Sequence, residues 1–264
     1  MHDLVHPTTG LSMGDPYLNP LAKKPSPEAA AQFFATLILS ASGWRGVFGQ
    51  NDDDLTETLS PQAVYASARM ASVFADWLIA RFPAGTKPAL ALGVDTRPTG
   101  PAIAHTMARV FLAKGIELRY AFVCAAPEIM AWTREGKSFP AGHERHLDAF
   151  CYISASHNPP GHNGVKFGLN DGGVLPGSDA SVLIAALKTG SCTAEDISAM
   201  QTLCAMPSGK TVASMFSDSG RYKRLAMSAY TLFAREVAGT SERMDEQELA
   251  LDNLTDAVGE TGCG

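Results

Sequence analysis

The densest group of chemically useful residues lies at 154–166, which reads SASHNPPGHNGVK. An apolar run at 148–155 leads into a cluster of turn formers, and two prolines stiffen the turn behind Ser156. A hydroxyl held on a rigid turn suits a positioned nucleophile. His157 and Lys166 add hydrogen-bond donors or positive charge for an anionic substrate. An ordinary polar turn is the alternative, and the residues alone leave both open.

Composition restricts the class of protein. The chain has 21 basic and 27 acidic residues, and its formal net charge of -6 argues against a nucleic-acid partner. Its five cysteines are an odd number without a C-x-x-C pair, which favours reduced thiols. The first residues lack a basic end followed by an apolar run, and no apolar run reaches about 18 residues. We therefore expect a soluble, cytoplasmic protein without a membrane partner.

Strand and helix patterns alternate around the serine segment. We expect helices at 27–39, 60–82, 102–114 and 179–187, a loop at 40–50, and strands at 89–95, 117–125, 148–155 and 165–169. Strand, helix and strand in succession imply parallel pairing with a right-handed crossover. The pattern predicts an α/β fold: a three-layer α/β/α domain with a mixed, mostly parallel sheet, whose polar loops lie at the carboxyl ends of the strands.

The chain divides into three parts by composition. Residues 1–26 carry four prolines and several glycines, which predicts an irregular N-terminal arm. Residues 27–190 form the α/β/α domain. Residues 191–264 are expected to be a linker, rich in Ser, Thr, Met and Ala up to about 215, followed by a helical C-terminal extension. The two helices of that extension are predicted at 222–239 and 246–262.

Three motifs resemble those of a known family. SASHNP at 154–159, followed by NGVK at 163–166, resembles the active-site serine loop of the α-D-phosphohexomutases, the phosphoglucomutase and phosphomannomutase family. SGWRG at 42–46 resembles the family's G-[TS]-x-G-x-R-G loop, and GVDTRPTGP at 93–101 resembles its G-x-D-x-R motif. The resemblance covers about 38–190, the first of the family's four domains, and the C-terminal helices resemble the start of the second, incomplete here.

The resemblance implies a catalytic group of three residues. Ser156 would carry a phosphoryl group and pass it to and from a sugar phosphate, and that phosphoryl oxygen would also be a metal ligand. Arg45 and Lys166 match the basic residues that the family places around the phosphoserine. A phosphoserine carries nearly two negative charges and needs such donors close by.

Three further residues are implied to bind substrate or phosphate: His157, Asn158 and Arg97. For Arg97 a structural ion pair with Asp95 that braces the loops is an alternative, and it is the favoured one. His143 and His146 lack a nearby third ligand, which favours a solvated loop over a metal site. The run at 52–54 lacks the alternation of an ion-binding loop and predicts a solvated turn.

The expected function is an intramolecular phosphotransferase that interconverts hexose 1-phosphate and hexose 6-phosphate through phospho-Ser156. The resemblance implies Mg²⁺ and a glucose 1,6-bisphosphate-type activator as cofactors. The family's D-x-D-x-D metal loop, sugar loop and second phosphate loop do not occur in this sequence, so we expect a truncated form. The alternative is an inactive remnant of the first domain, or a module that binds a phosphosugar or a partner.

The expected partners follow from the same comparison of motifs. Besides the hexose phosphate, they are a separately encoded chain with the remaining domains, or a second copy that associates through the C-terminal helices. The resemblance at SGWRG, residues 42–46, slightly favours glucose or mannose phosphates over amino-sugar phosphates as the substrate.

Overall fold

The computed structural model describes residues 3–7 and 9–238. The predicted helix at 246–262 lies outside these residues. A two-stranded antiparallel sheet forms in the N-terminal arm, from β1 (Leu4–Val5) and β2 (Ser12–Gly14). The main sheet has six strands: β3 (Ile38–Ser40), β4 (Gly43–Val47), β5 (Ala89–Val94), β6 (Glu117–Val123), β7 (Ala149–Ile153) and β8 (His162–Leu169).

The helices flank this sheet and follow it in the chain. They are α1 (Pro27–Ala35), α2 (Pro61–Ile79), α3 (Gly100–Ala113), α4 (Ala126–Gly136), α5 (Gly177–Lys188), α6 (Ala194–Ala205), α7 (Gly209–Ser217) and α8 (Ser219–Ala238). Each of the first two helices begins with a serine cap and a proline at the first helical position, as the sequence predicts. None of the described helices combines the length and the apolar character needed to cross a bilayer.

The strand order of the main sheet is β3-β4-β8-β7-β5-β6. The mixed sheet is confirmed, but only β7, β5 and β6 pair in parallel, while the three pairings from β3 to β7 are antiparallel. The prediction of mostly parallel pairing is therefore wrong for one half of the sheet. Two short connections are the reason, because a parallel crossover needs a dozen or more residues. Residues 154–161 join β7 to β8, and a tight hairpin joins β3 to β4.

The expected loop at 40–50 contains strand β4. Ile38 and Leu39 pair with the strand across a tight hairpin, so helix α1 ends at Ala35 and not near Leu39. Gly43 has φ +135, a value that side-chain-bearing residues rarely adopt, and it allows this hairpin to turn.

Apolar side chains fill both faces of the sheet and create three layers. On one face the Phe74 ring of α2 stacks on Phe167 of β8 at 4.1 Å between ring centroids. On the other face Trp132 of α4 lies 5.9 Å from Tyr222 of α8. The α/β/α layering and the helical C-terminal part thus agree with the expectation.

The expected linker after residue 190 is helical. Helices α6 and α7 occupy most of 194–217, and α6 packs against α3. The buried Arg109 of α3 fixes them, because its guanidinium donates to the carbonyl oxygens of Cys204 (2.8 Å) and Pro207 (3.0 Å). The same group donates to Pro16 in the arm at 2.8 Å. One side chain therefore joins the arm, α3 and the α6–α7 connection.

Candidate functional site

Ser156 lies at the tip of a tight turn directly after β7. The turn is closed by the Asn158 N–H, which donates to the Ala155 carbonyl oxygen at 3.2 Å. Ser156 has φ +59, a left-handed conformation that is costly for a residue with a side chain. Its own N–H donates to the Ser154 Oγ at 3.0 Å, and the residue is exposed. The fold therefore presents the serine to solvent on a fixed backbone, and His157 beside it is exposed too.

Arg97 holds the back of this serine loop, residues 154–161. Its guanidinium donates to a set of carbonyl oxygens in and next to the loop: those of Ser156 (2.7 Å), Asn158 (2.5 Å), Pro159 and His162 (3.0 Å). The Arg97 Nε lies 3.2 Å from the Asp95 Oδ2, and the Arg97 N–H donates to the Asp95 Oδ1 at 3.0 Å. Of the two alternatives for Arg97, this geometry supports the brace, since the terminal nitrogens already face carbonyls.

The end of the serine loop is fixed by the segment after β4. The Gly161 N–H donates to the Asp52 carbonyl oxygen at 2.7 Å, and the Gly161 carbonyl accepts from the Phe48 N–H at 3.0 Å. A Cβ on Gly161 would lie 1.9 Å from the Asn51 carbonyl oxygen, so only glycine fits. The Asp52 carboxylate lies 2.9 Å from the His162 Nε2. Asp52 thus supports the loop, a role that its sequence context does not reveal.

Asn163 connects the serine loop to the GVDTRPTGP motif at 93–101. Its side-chain nitrogen donates to the Thr99 Oγ1 at 2.9 Å, and its side-chain oxygen accepts from the Gly164 N–H at 2.9 Å. Asn163 and Thr99 are fully buried. Together with Arg97, Thr99 makes the G-x-D-x-R-P-T-G segment the scaffold of the serine loop. The sequence does not reveal the role of Thr99, because its side-chain partner lies 64 positions away.

Arg45 and Lys166 lie on one face of the sheet. Arg45 is paired with Gly164, and Gly164 and Lys166 are two residues apart on β8, so all three share that face. A Cβ on Gly164 would lie 2.8 Å from the Arg45 Cγ, and one on Gly43 would lie 3.1 Å from the Lys166 Cγ. The glycines therefore leave room for both aliphatic stems beside the strand that leads to the serine.

Both cations are half-buried and unpaired within residues 3–7 and 9–238, where neither forms a hydrogen bond or an ion pair. The Arg45 Nε is fully buried in this state. Tyr152 is opposite Lys166 in the register, and burial raises the pKa of its phenol, so that neighbour stays neutral. The face next to Ser156 thus carries two positive charges that have no anion of their own among the described residues.

The other candidate ligands have structural roles. His146 contacts the Phe139 carbonyl oxygen at 2.7 Å and the Asp148 carboxylate at 2.9 Å, which fixes a loop. The Asp54 carboxylate accepts from the backbone N–H groups of Gln50 and Thr56, and these hydrogen bonds lower its pKa. Among the described residues no group of three or more His, Cys, Asp or Glu can hold a metal ion. The described residues therefore do not fit the Mg²⁺ site that the resemblance implies.

The exposed serine on its braced turn, and the sheet face whose two cations are unpaired among the described residues, belong to one α/β/α domain. The family model "Phosphoglucomutase/phosphomannomutase, alpha/beta/alpha domain I" matches residues 36–193, more than half of the chain. The chain belongs to this family. The resemblance of the later helices to a second domain lies beyond that match and stays a prediction.

Named relatives share this region. A phosphoglucosamine mutase of Solibacter usitatus is 40% identical over 98 residues, which cover 37% of this chain and 20% of the relative. A phosphoglucosamine mutase of Burkholderia cenocepacia is 31% identical over 155 residues, or 58% of this chain and 31% of the relative. A solved phosphoglucomutase/phosphomannomutase family protein of Burkholderia thailandensis has a TM-score of 0.43 and 23% identity, and the match covers 57% of this chain and 30% of that one. The chain thus spans about a fifth to a third of the length of these relatives.

Proposed function

We propose that this chain supplies the phosphoserine domain of a phosphohexomutase-type intramolecular phosphotransferase. The observation that carries the proposal is the position of the exposed Ser156, two residues after Ser154, whose N–H donates to the Gly164 carbonyl oxygen. Gly164 shares its sheet face with Arg45 and Lys166, which have no partner among the described residues. A phosphoryl group on the serine brings nearly two negative charges, and the two cations would compensate them. Phosphoryl transfer depends mainly on such positioning and charge stabilisation.

The proposed step is a balanced exchange. A hydroxyl oxygen of the hexose phosphate attacks the phosphorus of phospho-Ser156, a new bond forms from sugar oxygen to phosphorus, and the bond from phosphorus to Oγ breaks. The proton of the sugar hydroxyl ends on the Ser156 Oγ. The resulting bisphosphate turns round and returns its other phosphoryl group to the serine, which interconverts the 1-phosphate and the 6-phosphate. Arg97 contributes by holding the loop backbone in place.

Several finer points belong to the proposal alone. Mg²⁺ would neutralise charge on the transferring group, and its remaining ligands would come from outside the described residues. A hexose 1,6-bisphosphate would prime the serine, and a separate chain or a second copy would provide the other domains. We propose the cytoplasm as the compartment. Two of the relatives named above are phosphoglucosamine mutases, so amino-sugar phosphates should be tested beside those of glucose and mannose.

The test is uptake of a phosphoryl group. Purified chain is incubated with glucose 1,6-bisphosphate and MgCl₂, and intact-mass spectrometry with peptide mapping locates the modification. We expect one phosphoryl group on Ser156, none in Ser156→Ala, and full uptake in Ser181→Ala, an exposed serine on α5. A chain that takes up no phosphoryl group, or one that is equally modified in Ser156→Ala, would contradict the proposal.

A second candidate function is a module that binds phosphosugars without transfer. It is favoured by the sheet face of Arg45 and Lys166, because two cations without a partner among the described residues could bind a phosphate group with no transfer to Ser156. In that case glucose 1-phosphate would bind with an affinity that depends on Lys166 while Ser156 stays unmodified. Calorimetry on the protein used for the phosphorylation assay separates the two functions.

A further inference from the structure

The buried histidine of the N-terminal arm, His6, has one ring nitrogen without a hydrogen-bond partner. The residue is 1% exposed, and the centroid of its ring lies 4.9 Å from that of the Phe122 ring. The Thr9 N–H donates to its Nδ1 at 3.2 Å. Because Nδ1 accepts this bond, the proton of the neutral ring is on Nε2. That nitrogen is buried and has no partner within the described part of the chain.

The backbone of His6 belongs to the turn between β1 and β2. Its N–H donates to the Leu11 carbonyl oxygen at 2.9 Å, and the Gly10 N–H donates to the His6 carbonyl oxygen at 3.0 Å. These two bonds close the turn, and the pairing of β1 with β2 continues it on the other side of His6. The histidine is therefore fixed relative to both strands of the arm.

His6 also lies where the arm meets the rest of the domain. Phe122, which its ring contacts, is one residue before the end of β6. The start of α8 packs next to it, because a Cβ on Gly220 would lie 3.2 Å from the Pro7 Cγ, and the Ser219 Oγ donates to the Met13 Sδ at 3.7 Å. The His6 ring is thus enclosed between the arm, the end of β6 and the start of α8.

The groups around His6 disfavour a protonated ring. From α8, the Lys223 ammonium acts on the ring with the same sign of charge as an imidazolium, and Glu128 of α4 already pairs with that ammonium at 2.6 Å. From β6 come the Phe122 ring and, 5.8 Å from it, Tyr120, whose phenol stays neutral because burial raises its pKa. Burial and the Lys223 charge both lower the pKa of His6.

A second proton on the ring would disturb the contacts within the arm itself. It would go to Nδ1, which could then no longer accept from the Thr9 N–H, although the Thr9 Oγ1 lies 3.2 Å away and could accept in turn. The Nε2–H would carry part of the positive charge without an acceptor among the described residues. An unpaired charge is far costlier to bury than a neutral polar group. Moving the ring into water removes that cost.

We propose that His6 is a pH-sensitive switch that controls the docking of the N-terminal arm. While the ring is neutral, the arm lies against β6 and the start of α8. When the ring takes up a proton, the arm leaves the domain and exposes the apolar surface under Met13 and Leu21. Because the docked arm binds the proton less well, docking is strongest above about pH 6.5, the ordinary pKa of histidine, and weakens as the pH falls below it. The switch is separate from Ser156 and does not depend on phosphoryl transfer.

The test is the mobility of the arm as a function of pH. Heteronuclear NOE values of the backbone amides are measured on the ¹⁵N-labelled full chain between about pH 7.5 and about pH 5, and the His6 ring is titrated in the same samples. We expect the amides of Ser12 and Gly14 to be rigid at the higher pH and mobile at the lower one. The midpoint should lie below pH 6.5 and coincide with that of the His6 ring. An arm that stays rigid at about pH 5, or a His6 ring that titrates while the arm stays rigid, would overturn the proposal.

Matched variants separate His6 from the other groups that titrate in this range. His6→Asn keeps an acceptor near the position of Nδ1 but cannot take up a proton, so the arm should stay rigid at both ends of the pH range. His6→Phe fills the same space beside Phe122 without a titratable group and should give the same result, which covers the case in which asparagine weakens docking at every pH. Release of the arm by acid in both variants would assign the transition to other groups and overturn the proposal.

Two controls complete the experiment. His143→Asn changes an exposed histidine and should leave the midpoint of arm release where it is in the parent chain. Ser156→Ala should also release the arm at the parent midpoint, so this proposal and the proposed function can fail separately. A midpoint that moves with His143 and not with His6 would place the switch elsewhere.

Discussion

The two sides of the serine loop differ in how their polar groups are used. On the back, Arg97, Asn163 and the Gly161 backbone all have hydrogen-bond partners in neighbouring segments. On the front, Ser156 is exposed, and Arg45 and Lys166 have no partner among the described residues. The shape of the loop thus rests on one set of residues, while the proposed phosphate contacts rest on another. Substitutions on the back should lower stability, and substitutions on the front should lower affinity for phosphate.

The largest loss of stability is expected for Gly161→Ala. The new Cβ would lie 1.9 Å from the Asn51 carbonyl oxygen, and the backbone there has to move. We expect a loss of about 3 kcal/mol in the free energy of unfolding, measured by urea denaturation. Gly177→Ala is the control, because nothing lies within 4 Å of an added Cβ at that position. Similar stabilities of the two variants would show that the loop end is not fixed as described.

Arg97→Met should have the next largest effect. The change removes a half-buried guanidinium and leaves loop carbonyl oxygens without their donor, which costs about 2–3 kcal/mol. Arg221→Met removes an arginine from an exposed ion pair with Glu144 and should cost less than about 1 kcal/mol. If the two variants unfold at the same urea concentration, Arg97 does not brace the loop.

Lys166→Met tests the exposed side of the serine loop, where we expect an effect on phosphate affinity and not on stability. The side chain has no partner to lose within the described residues, so stability should be unchanged. Affinity for glucose 1-phosphate should fall about tenfold, or roughly 1.4 kcal/mol, when measured by calorimetry. Lys188→Met on α5 serves as the charge-matched control. A drop in stability without a change in affinity would place Lys166 on the structural side of the loop.

The smallest effect concerns the backbone of Ser156. Alanine and glycine both remove the hydroxyl, but only glycine relieves the strain at φ +59. We expect Ser156→Gly to be about 0.5–1 kcal/mol more stable than Ser156→Ala in thermal or urea unfolding, after the higher entropy of unfolded glycine is included. Equal stabilities would mean that the turn relaxes once the side chain is gone.

The sequence predicts the parts of the fold that follow local patterns. The serine caps of the first two helices and the strand before Ser156 are examples. The sequence predicts a loop where β4 lies, since Gly43 and Gly46 interrupt the apolar pattern, and it predicts a linker where α6 and α7 lie, since that stretch is rich in Ser, Thr, Met and Ala. Tertiary packing overrides such weak local preferences.

The residues of the candidate site can be predicted from the sequence. Which of them hold the loop, and which are left without a partner, cannot. The serine and both cations follow from the motifs. The bonds from Arg97 join residues 59 to 65 positions apart, and the Asn163 bond to Thr99 spans 64. Local pattern does not encode pairings at this separation, so the structure was needed to distinguish the brace from a phosphate contact.

The hydrogen bonds of Arg109 predict how the chain would respond to proteolytic cleavage. Its guanidinium connects the arm at Pro16 with the α6–α7 junction, and both contacts depend on one buried side chain of α3. Cleavage in the arm would take away the Pro16 carbonyl oxygen, which accepts a hydrogen bond from the Arg109 guanidinium. It would also expose Met13 and Leu21, which are at most 1% exposed in the intact fold. A nick near the amino end should therefore loosen a region almost two hundred residues away in the chain, and limited digestion would release the two together.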